Sequence, residues 1–390
     1  MNFELTEEQS RIRDAVRDFA ETEIAPGVVE RERHERFPRE VLEGLAKMGV
    51  LGMMVPEEYG GSGADALSLI LVLEELSRVC ASTAVIVSVN NSVFCYPLWK
   101  FGSDEQKRTV LAEVASGRAL GAYALTEPQS GSDAANQKTC AVRDGDSYVL
   151  TGSKAWITNA GEAGWYLVMA MTDPAAGTRG ITAFLVSSED PGFRVGAPED
   201  KMGLRASKTA AVFFDDVRLP AGRRLGSEGE GFSIAMKTLD HSRIGIAAQG
   251  IGIARACYEA SVEYAGSRET FGKKLAEHEI IAFQIADMRV QLEAAKLLTY
   301  RAAVRSELPG VRIAREASMA KVFATEACNA IAARAVQIFG GYGYSREYPV
   351  ERYYRDARVT TIYEGTSEIQ RLVIARSILG LTERSIAVPS

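Results

Sequence analysis

Histidine is scarce in this 390-residue chain: His34, His241 and His278 are the full set, and they share no metal-ligand spacing, so no metal centre is expected. The five cysteines (80, 95, 140, 257, 328) lie far apart with no Cys-x-x-Cys pair. That argues against a disulfide framework or a dithiol redox motif and reads as reduced, mostly buried thiols in a cytosolic-type compartment. Positive charge is in deficit, 45 Lys and Arg against 51 Asp and Glu, and no basic run is visible. Neither nucleic acid nor an anionic membrane surface is the expected partner. No apolar stretch approaches the ~20 residues that span a bilayer. The opening Asn2-Phe3-Glu4-Leu5-Thr6 is neither a signal h-region nor an Arg- and Ser-rich transit segment. A cytoplasmic protein is expected, a matrix protein with its transit peptide removed being also compatible. Rossmann and Walker fingerprints are absent as well. Gly250-Ile251-Gly252 lacks a third glycine and lies inside a helical pattern, so it reads as close packing, and any nucleotide cofactor must be held some other way.

What is present is an ordinary globular composition, 46% hydrophobic and 25% charged, with length for two or three domains. Thr6 with Gln9 and Ser103 with Gln106 read as helix-opening capping boxes, and Ile24-Ala25-Pro26-Gly27 as the end of the first helix. Val41–Met48, Ala66–Val79 and Ser82–Phe94 carry helical patterns. The texture then changes to short β-rich runs beginning at Ser147, Trp165, Gly180 and Ala211, punctuated by Gly, Pro, Asp and Asn. Long helical patterns return at about 231–265, 276–306 and 312–339, followed by a final helix after Ser367. The expectation is an α+β chain: an N-terminal helical domain (1–120), a middle β-barrel-like domain (121–222) and a C-terminal four-helix bundle (223–390).

The last helix supplies the first candidate for chemistry. Ser367 and Gln370 have capping-box spacing, with Ile369, Leu372, Val373 and Ile378 as an apolar face behind them. Glu364 stands just before it, between Tyr363 and Gly365. A carboxylate walled by Tyr363 and Ile362 and kept partly from water would have a raised pKa and suit a general base; a solvated glutamate in a helix-entry loop is the alternative. Thr126, Ser130 and Ser132 offer donors beside Gly131, where the chain can approach a ligand, or else form a plain polar loop. Trp156 and Thr158 alternate onto one face of a strand, as a cofactor platform or as core. Arg268 with Thr270 could clamp a pyrophosphate, or Arg268 could be a surface arginine at a helix end. Asp240 and Arg243, at i, i+3, would ordinarily be a surface ion pair.

Taken whole, Ile362–Arg376 resembles the C-terminal signature of the acyl-CoA dehydrogenase family. Four further stretches resemble it in the same order: Tyr123–Ser132, Lys154–Thr158, Arg268–Gly272 and Ala335–Gly343. The likeness covers about residues 3 to 380. It implies FAD in a cleft between the middle domain and the bundle. Tyr123, Leu125, Thr126, Gly131 and Ser132 would line the flavin and the phosphate end of the substrate. Trp156 would pack on the isoalloxazine next to Ile157, and the Thr158 hydroxyl would reach its N5 edge. Thr366 and Glu368 would also bind the cofactor. Arg268, Thr270 and Phe271, with Gln337, Gly340 and Gly341, would reach the FAD of a neighbouring subunit. Asp240, Arg243, Tyr363, Gly365 and Arg376, with Ser132, would contact the acyl-CoA.

The resemblance implies Glu364 as the catalytic base. One branch of the family carries its base on the first long C-terminal helix, where this chain has Ser242. Glu279 departs from the family's usual Gln. The implied reaction is FAD-dependent α,β-dehydrogenation of an acyl-CoA, short-chain by likeness to butyryl-type members, with electrons passing to an electron-transferring flavoprotein. A homotetramer, a dimer of dimers, is implied too. The alternatives are an oxygen-reactive oxidase or monooxygenase on the same scaffold, and a catalytically silent helical assembly protein.

Overall fold

The computed structural model describes residues 4–381. Residues 1–3 and 382–390, which the expected first and third domains include, lie outside the described residues. The helices preceding the sheet are α1 (Glu7–Phe19), α2 (Val28–Arg33), α3 (Arg39–Lys47), α4 (Ala66–Val79), α5 (Ala81–Ser88), α6 (Tyr96–Phe101) and the short α7 (Asp104–Gln106) and α8 (Ala112–Ala115). Both expected capping boxes form, at Thr6–Gln9 and Ser103–Gln106. The expected end at Ile24–Gly27 does not: a π-helical turn (Ala20–Ile24) and a 3-10 turn holding Pro26 carry the chain on into α2. Proline at the start of a tight turn has no intrahelical N–H to lose.

The Ser82–Phe94 pattern is also divided, into α5 and a π-helical turn, Val89–Cys95. That turn aims two buried asparagines at backbone groups of other segments. Asn91 accepts from the Met53 amide at 2.8 Å, and Asn90 accepts from the Gly121 amide at 2.8 Å. Gly121 opens the first strand, and a Cβ there would lie 2.2 Å from the Phe94 ring. Glycine is what lets the strand sit directly on this turn.

The strands are β1 (Gly121–Ala124), β2 (Cys140–Asp144), β3 (Ser147–Thr158), β4 (Trp165–Met171), β5 (Ile181–Ser187), β6 (Phe193–Pro198), β7 (Thr209–Pro220) and β8 (Arg224–Leu225). Pairing runs β6-β7-β3-β2-β4-β5-β8, with β1 parallel to β4. A single residue pair, Cys140 with Met171, joins β2 to β4. The sheet therefore folds into two halves that enclose one core, the barrel-like arrangement expected of it. β4 alternates across that fold: Tyr166, Val168 and Ala170 face the sheet core, while Leu167 and Met169 pack toward the N-terminal helices. β1, β2 and β6 fall outside the β-rich runs of the sequence.

Beyond β8 come α9 (Gly231–Ser267), α10 (Glu279–Ser306), α11 (Ala314–Phe339), α12 (Val350–Arg358) and α13 (Ser367–Leu379). α9 packs against α4, α10 and α11, and α13 lies on α11. α12 has no counterpart in the sequence reading.

Candidate active site

The segment before α13 is a left-handed turn: Glu364 has φ +52° and Gly365 φ +92°. A glutamate there is strained, by roughly 1–3 kcal/mol, and persists only where its surroundings fix it. They do so by hydrogen bonds. Gln370 Nε2 donates to the Gly365 carbonyl at 2.8 Å and to the Glu364 carbonyl at 3.3 Å. Lys321 Nζ, from α11, donates to the same Gly365 oxygen at 2.8 Å. A Cβ on Gly365 would come within 2.6 Å of the Gln370 amide. The expected Ser367–Gln370 capping box is not made. Thr366 is the cap, accepting from the Ile369 amide at 3.4 Å, and Gln370 turns back to the strained pair instead. Ile378, expected on the buried face, is exposed.

One Glu364 oxygen, Oε2, is buried without a hydrogen-bond partner. Burial pushes this carboxyl above the ordinary glutamate value, opposed by the nearby Ser242 hydroxyl and the charges of Lys321 and Arg243. Ser242 thus lies beside Glu364. Arg243 is buried and ion-paired with Asp240 at 2.7 Å, so this is no surface pair. Burial lowers Arg243 and raises Asp240, each opposed by the other's charge. Tyr363 donates its hydroxyl to Gln249. The Tyr123 hydroxyl is buried and unpartnered, and burial followed by the charge of Glu364 pushes it up. Arg376 Nε is likewise buried without a partner, while Glu368 is exposed. Arg243, Ser242, Lys321, Tyr123 and Tyr363 therefore converge on Glu364.

The Tyr123–Ser132 and Lys154–Thr158 stretches also come together. The Ala155 amide donates to the Thr126 carbonyl at 2.9 Å. Lys154, fully buried, donates to the Leu125 carbonyl at 3.1 Å and to Glu127 at 2.8 Å. Burial alone would raise Glu127, but the Lys154 charge and the Lys138 and Thr139 amides hold it at about 2, while burial lowers Lys154 to about 8. The plain alternation expected at Trp156 is interrupted. Between Lys154 and Ile157 the register against β7 slips by one residue, and Trp156 takes φ +61°. This bulge leaves Ile157 buried, Thr158 half-buried and the Trp156 indole 61% exposed. Gly131 and Ser132 are exposed, and a Cβ at Gly131 would meet nothing within 4 Å.

A second cluster forms where α9 and α11 end. Arg268 lies over the Tyr342 ring at 5.7 Å, Thr270 Oγ1 is 3.1 Å from His278 Nε2, and Phe271 is 97% exposed. Gln337, Gly340 and Gly341 are exposed beside them. Gln337 is sixteen residues beyond Lys321 on α11, about 24 Å at the helical rise. Within one chain these residues do not join the Glu364 group. Glu279 is exposed in the first turn of α10.

Sequence reasoning assigned no role to Lys321, Gln249 or the Lys154–Glu127 pair, and gave Gln370 only that of a cap. For Lys321 a signal exists: it shares an apolar helix face with Ala317, Ala324 and Cys328. Among the described residues, no group of three or more His, Cys, Asp or Glu could hold a metal ion, and no helix is long and apolar enough to cross a membrane.

A sheet-containing middle domain between two helical ones, with a buried, strained carboxylate before the last helix, is the arrangement of the acyl-CoA dehydrogenases, and this chain belongs to that family and is an oxidoreductase. Its family models match in order, "Acyl-CoA dehydrogenase, N-terminal domain" over 6–118, "middle domain" over 122–217 and "C-terminal domain" over 229–379. An acyl-CoA dehydrogenase of Bacillus subtilis is 49% identical, covering 97% of this chain and all of the relative. The mitochondrial short-chain specific acyl-CoA dehydrogenase of Bos taurus is 49% identical over 96% of this chain and 91% of the relative. The structure of butyryl-CoA dehydrogenase from Megasphaera elsdenii has TM-score 0.95 at 45% identity, covering 97% of this chain and 100% of that one. A structure described as the electron transferring flavoprotein of Acidaminococcus fermentans also matches, with TM-score 0.96 at 46% identity, covering 97% of this chain and 100% of that chain.

Proposed function

We propose that the protein catalyses FAD-dependent α,β-dehydrogenation of a short-chain acyl-CoA to the trans-2-enoyl-CoA, with Glu364 as the base. The observation that carries this is the buried, unpartnered Oε2 of Glu364 on a turn fixed from two sides. Glu364 takes the α-proton as the double bond forms. Burial raises the basicity of its carboxylate, and Tyr363 and Tyr123 help exclude water from it. Its own backbone N–H, freed to turn inward next to Gly365, is the donor for the thioester carbonyl. Asp240 and Arg243 bind the CoA side.

The residues present fit FAD. An exposed indole stands on a bulge, with open backbone at Gly131, Gly340 and Gly341 and a buried, unpartnered Tyr123 hydroxyl near Glu364. Leu125, Thr126, Ser132, Trp156, Ile157, Thr158, Thr366 and Glu368 would hold it. When bound, FAD supplies the two-electron acceptor for the hydrogen leaving Cβ. Arg268, Thr270, Phe271, Gln337, Gly340 and Gly341, clustered at the far ends of α9 and α11 from the Glu364 group, would serve a neighbour's site. The same reading includes a homotetramer built as a dimer of dimers and the domain division 1–120, 121–222 and 223–390. β8 at Arg224–Leu225 is tied to the middle sheet by pairing with β5. The electron acceptor is an electron-transferring flavoprotein, and the compartment cytoplasmic.

A narrow gap among Leu69, Ile70, Tyr96, His241, Ile244 and Gly245 measures about 20 Å³, room for about one water molecule. The His241 and Tyr96 rings line it, tilted by 35° with centroids 4.1 Å apart. The short acyl chain rests on the likeness to relatives named short-chain specific, at 49% and 45% identity. The test is anaerobic titration of the yellow holoprotein with acyl-CoAs of increasing length. Bleaching with the highest kcat/KM near butyryl-CoA is expected. Preference for a twelve-carbon chain contradicts the chain length, and absence of flavin after reconstitution contradicts the reaction.

A further inference from the structure

Lys321 sits two turns into α11 with no exposed surface, on a face otherwise built of small residues. Burying an ammonium costs several kcal/mol unless charge and hydrogen bonds offset it. Its hydrogen bond goes not to a carboxylate but to the Gly365 carbonyl, the oxygen that Gln370 also holds. The charged groups facing the Lys321 ammonium come from three elements. They are Glu364 and Glu368 around the start of α13, Arg243 on α9 and Glu326 on α11 itself. Those facing Glu364 are Lys321 and Arg243, with Ser242, Tyr123 and Tyr363 as its titratable or hydroxyl-bearing neighbours.

We propose that Lys321 is a positioning residue for proton abstraction. Through the Gly365 carbonyl it holds the left-handed Glu364–Gly365 turn in its working orientation, and its ammonium is a buried counter-charge to the ionised base. The strain at Glu364 is what makes such a clamp necessary: with one donor lost, the turn can relax toward an ordinary backbone region and swing the carboxylate away. The charge matters separately. Without the cation the ionised form of Glu364 loses its support against burial, so the base is protonated at higher pH.

This inference rests on Glu364 being the base, so the experiment carries Glu364→Gln in parallel. Holoenzymes of wild type, Lys321→Met and Lys321→Gln are compared by anaerobic single-turnover flavin reduction with butyryl-CoA across the acid limb of the pH profile. Affinity for a non-reducible thioether analogue of butyryl-CoA and thermal stability of the apo-protein are measured alongside. Lys321→Met should slow reduction at least ~10-fold while analogue affinity changes only about threefold or less, the split expected when orientation rather than binding is lost. Its acid limb should move to higher pH. Lys321→Gln, which keeps a donor but no charge, should regain part of the rate while its limb stays displaced. Wild-type rate and limb in Lys321→Met overturn the proposal. If Lys321→Met does not fold, an undisplaced limb in Lys321→Gln overturns it equally. A Glu364→Gln enzyme that reduces flavin normally removes the base reading itself, whereas an inactive Glu364→Gln beside an unaltered Lys321→Met removes only the clamp.

Discussion

Glu364 works against its surroundings twice, in a backbone region that disfavours it and in a pocket that disfavours its charge. Both follow from the same neighbours, and both have a measurable sign. Burial raises its folded-state pKa above the ordinary value of 4.5. The ionised form therefore costs folding stability, a cost that appears as pH rises from 4.5 through the raised value. Activity runs the other way, because only the carboxylate accepts a proton. Accordingly kcat/KM should fall as pH drops through the raised value, and Glu364→Gln should be at least as stable as wild type at neutral pH, checked by thermal denaturation. A Glu364→Gln protein markedly less stable at pH 7 would mean that the charge is stabilising. At this scale the resemblance pointed to Glu364 as the proposed base, to the glycine after it and to Ser242 at the alternative position. It did not show the donors that fix the turn. Gln370 has the spacing of a cap, and only the fold turns it onto Gly365 and leaves the cap to Thr366.

At the scale of elements, the proposed cofactor platform depends on a joint between two segments. Lys154 on β3 and Glu127 in the loop after β1 form a fully buried ion pair that ties Leu125 and Thr126 to the strand bearing Trp156. Removing one partner strands the other charge. Lys154→Met should cost about 3–5 kcal/mol and loosen flavin retention, while Lys154→Met with Glu127→Gln should cost less than the single change. Denaturant titration of the four proteins in the cycle checks this, and simple additivity would mean that the pair is not coupled. The pair also explains what periodicity missed. A lysine inside a strand pattern reads as an outward residue, and the bulge that turns Trp156 out is a register slip with no glycine to announce it. β1 and β2 escaped notice because they are four and five residues long, and β6 because its burial pattern has no buried position. The long helices were legible because 26 to 37 residues of helical period outweigh local ambiguity.

At the scale of the whole molecule, α10 exposes Phe283, Val290, Leu297 and Val304, one every seven residues, with Ile280 beside them. That seam matches another helix face, and covering it offers roughly 1.5–3 kcal/mol for each large side chain fully buried. Replacing Val290 and Leu297 together by Glu should dissociate the proposed assembly and, if the cofactor sites are shared as proposed, lower FAD occupancy, read by sedimentation and flavin absorbance. A monomer that keeps full FAD would separate the seam from the cofactor. In the proposed function the assembly, the flavin-holding residues and the turn serve one proton transfer, and it can be isolated. Glu364→Gln preserves shape and the backbone donor, so the variant should still bind FAD and acyl-CoA. Positioned general-base catalysis is typically worth ~10² to 10⁴-fold. The decisive measurement is the rate of anaerobic flavin reduction by butyryl-CoA in one turnover of that variant. A loss of at least ~10²-fold is predicted; reduction near the wild-type rate would contradict the account.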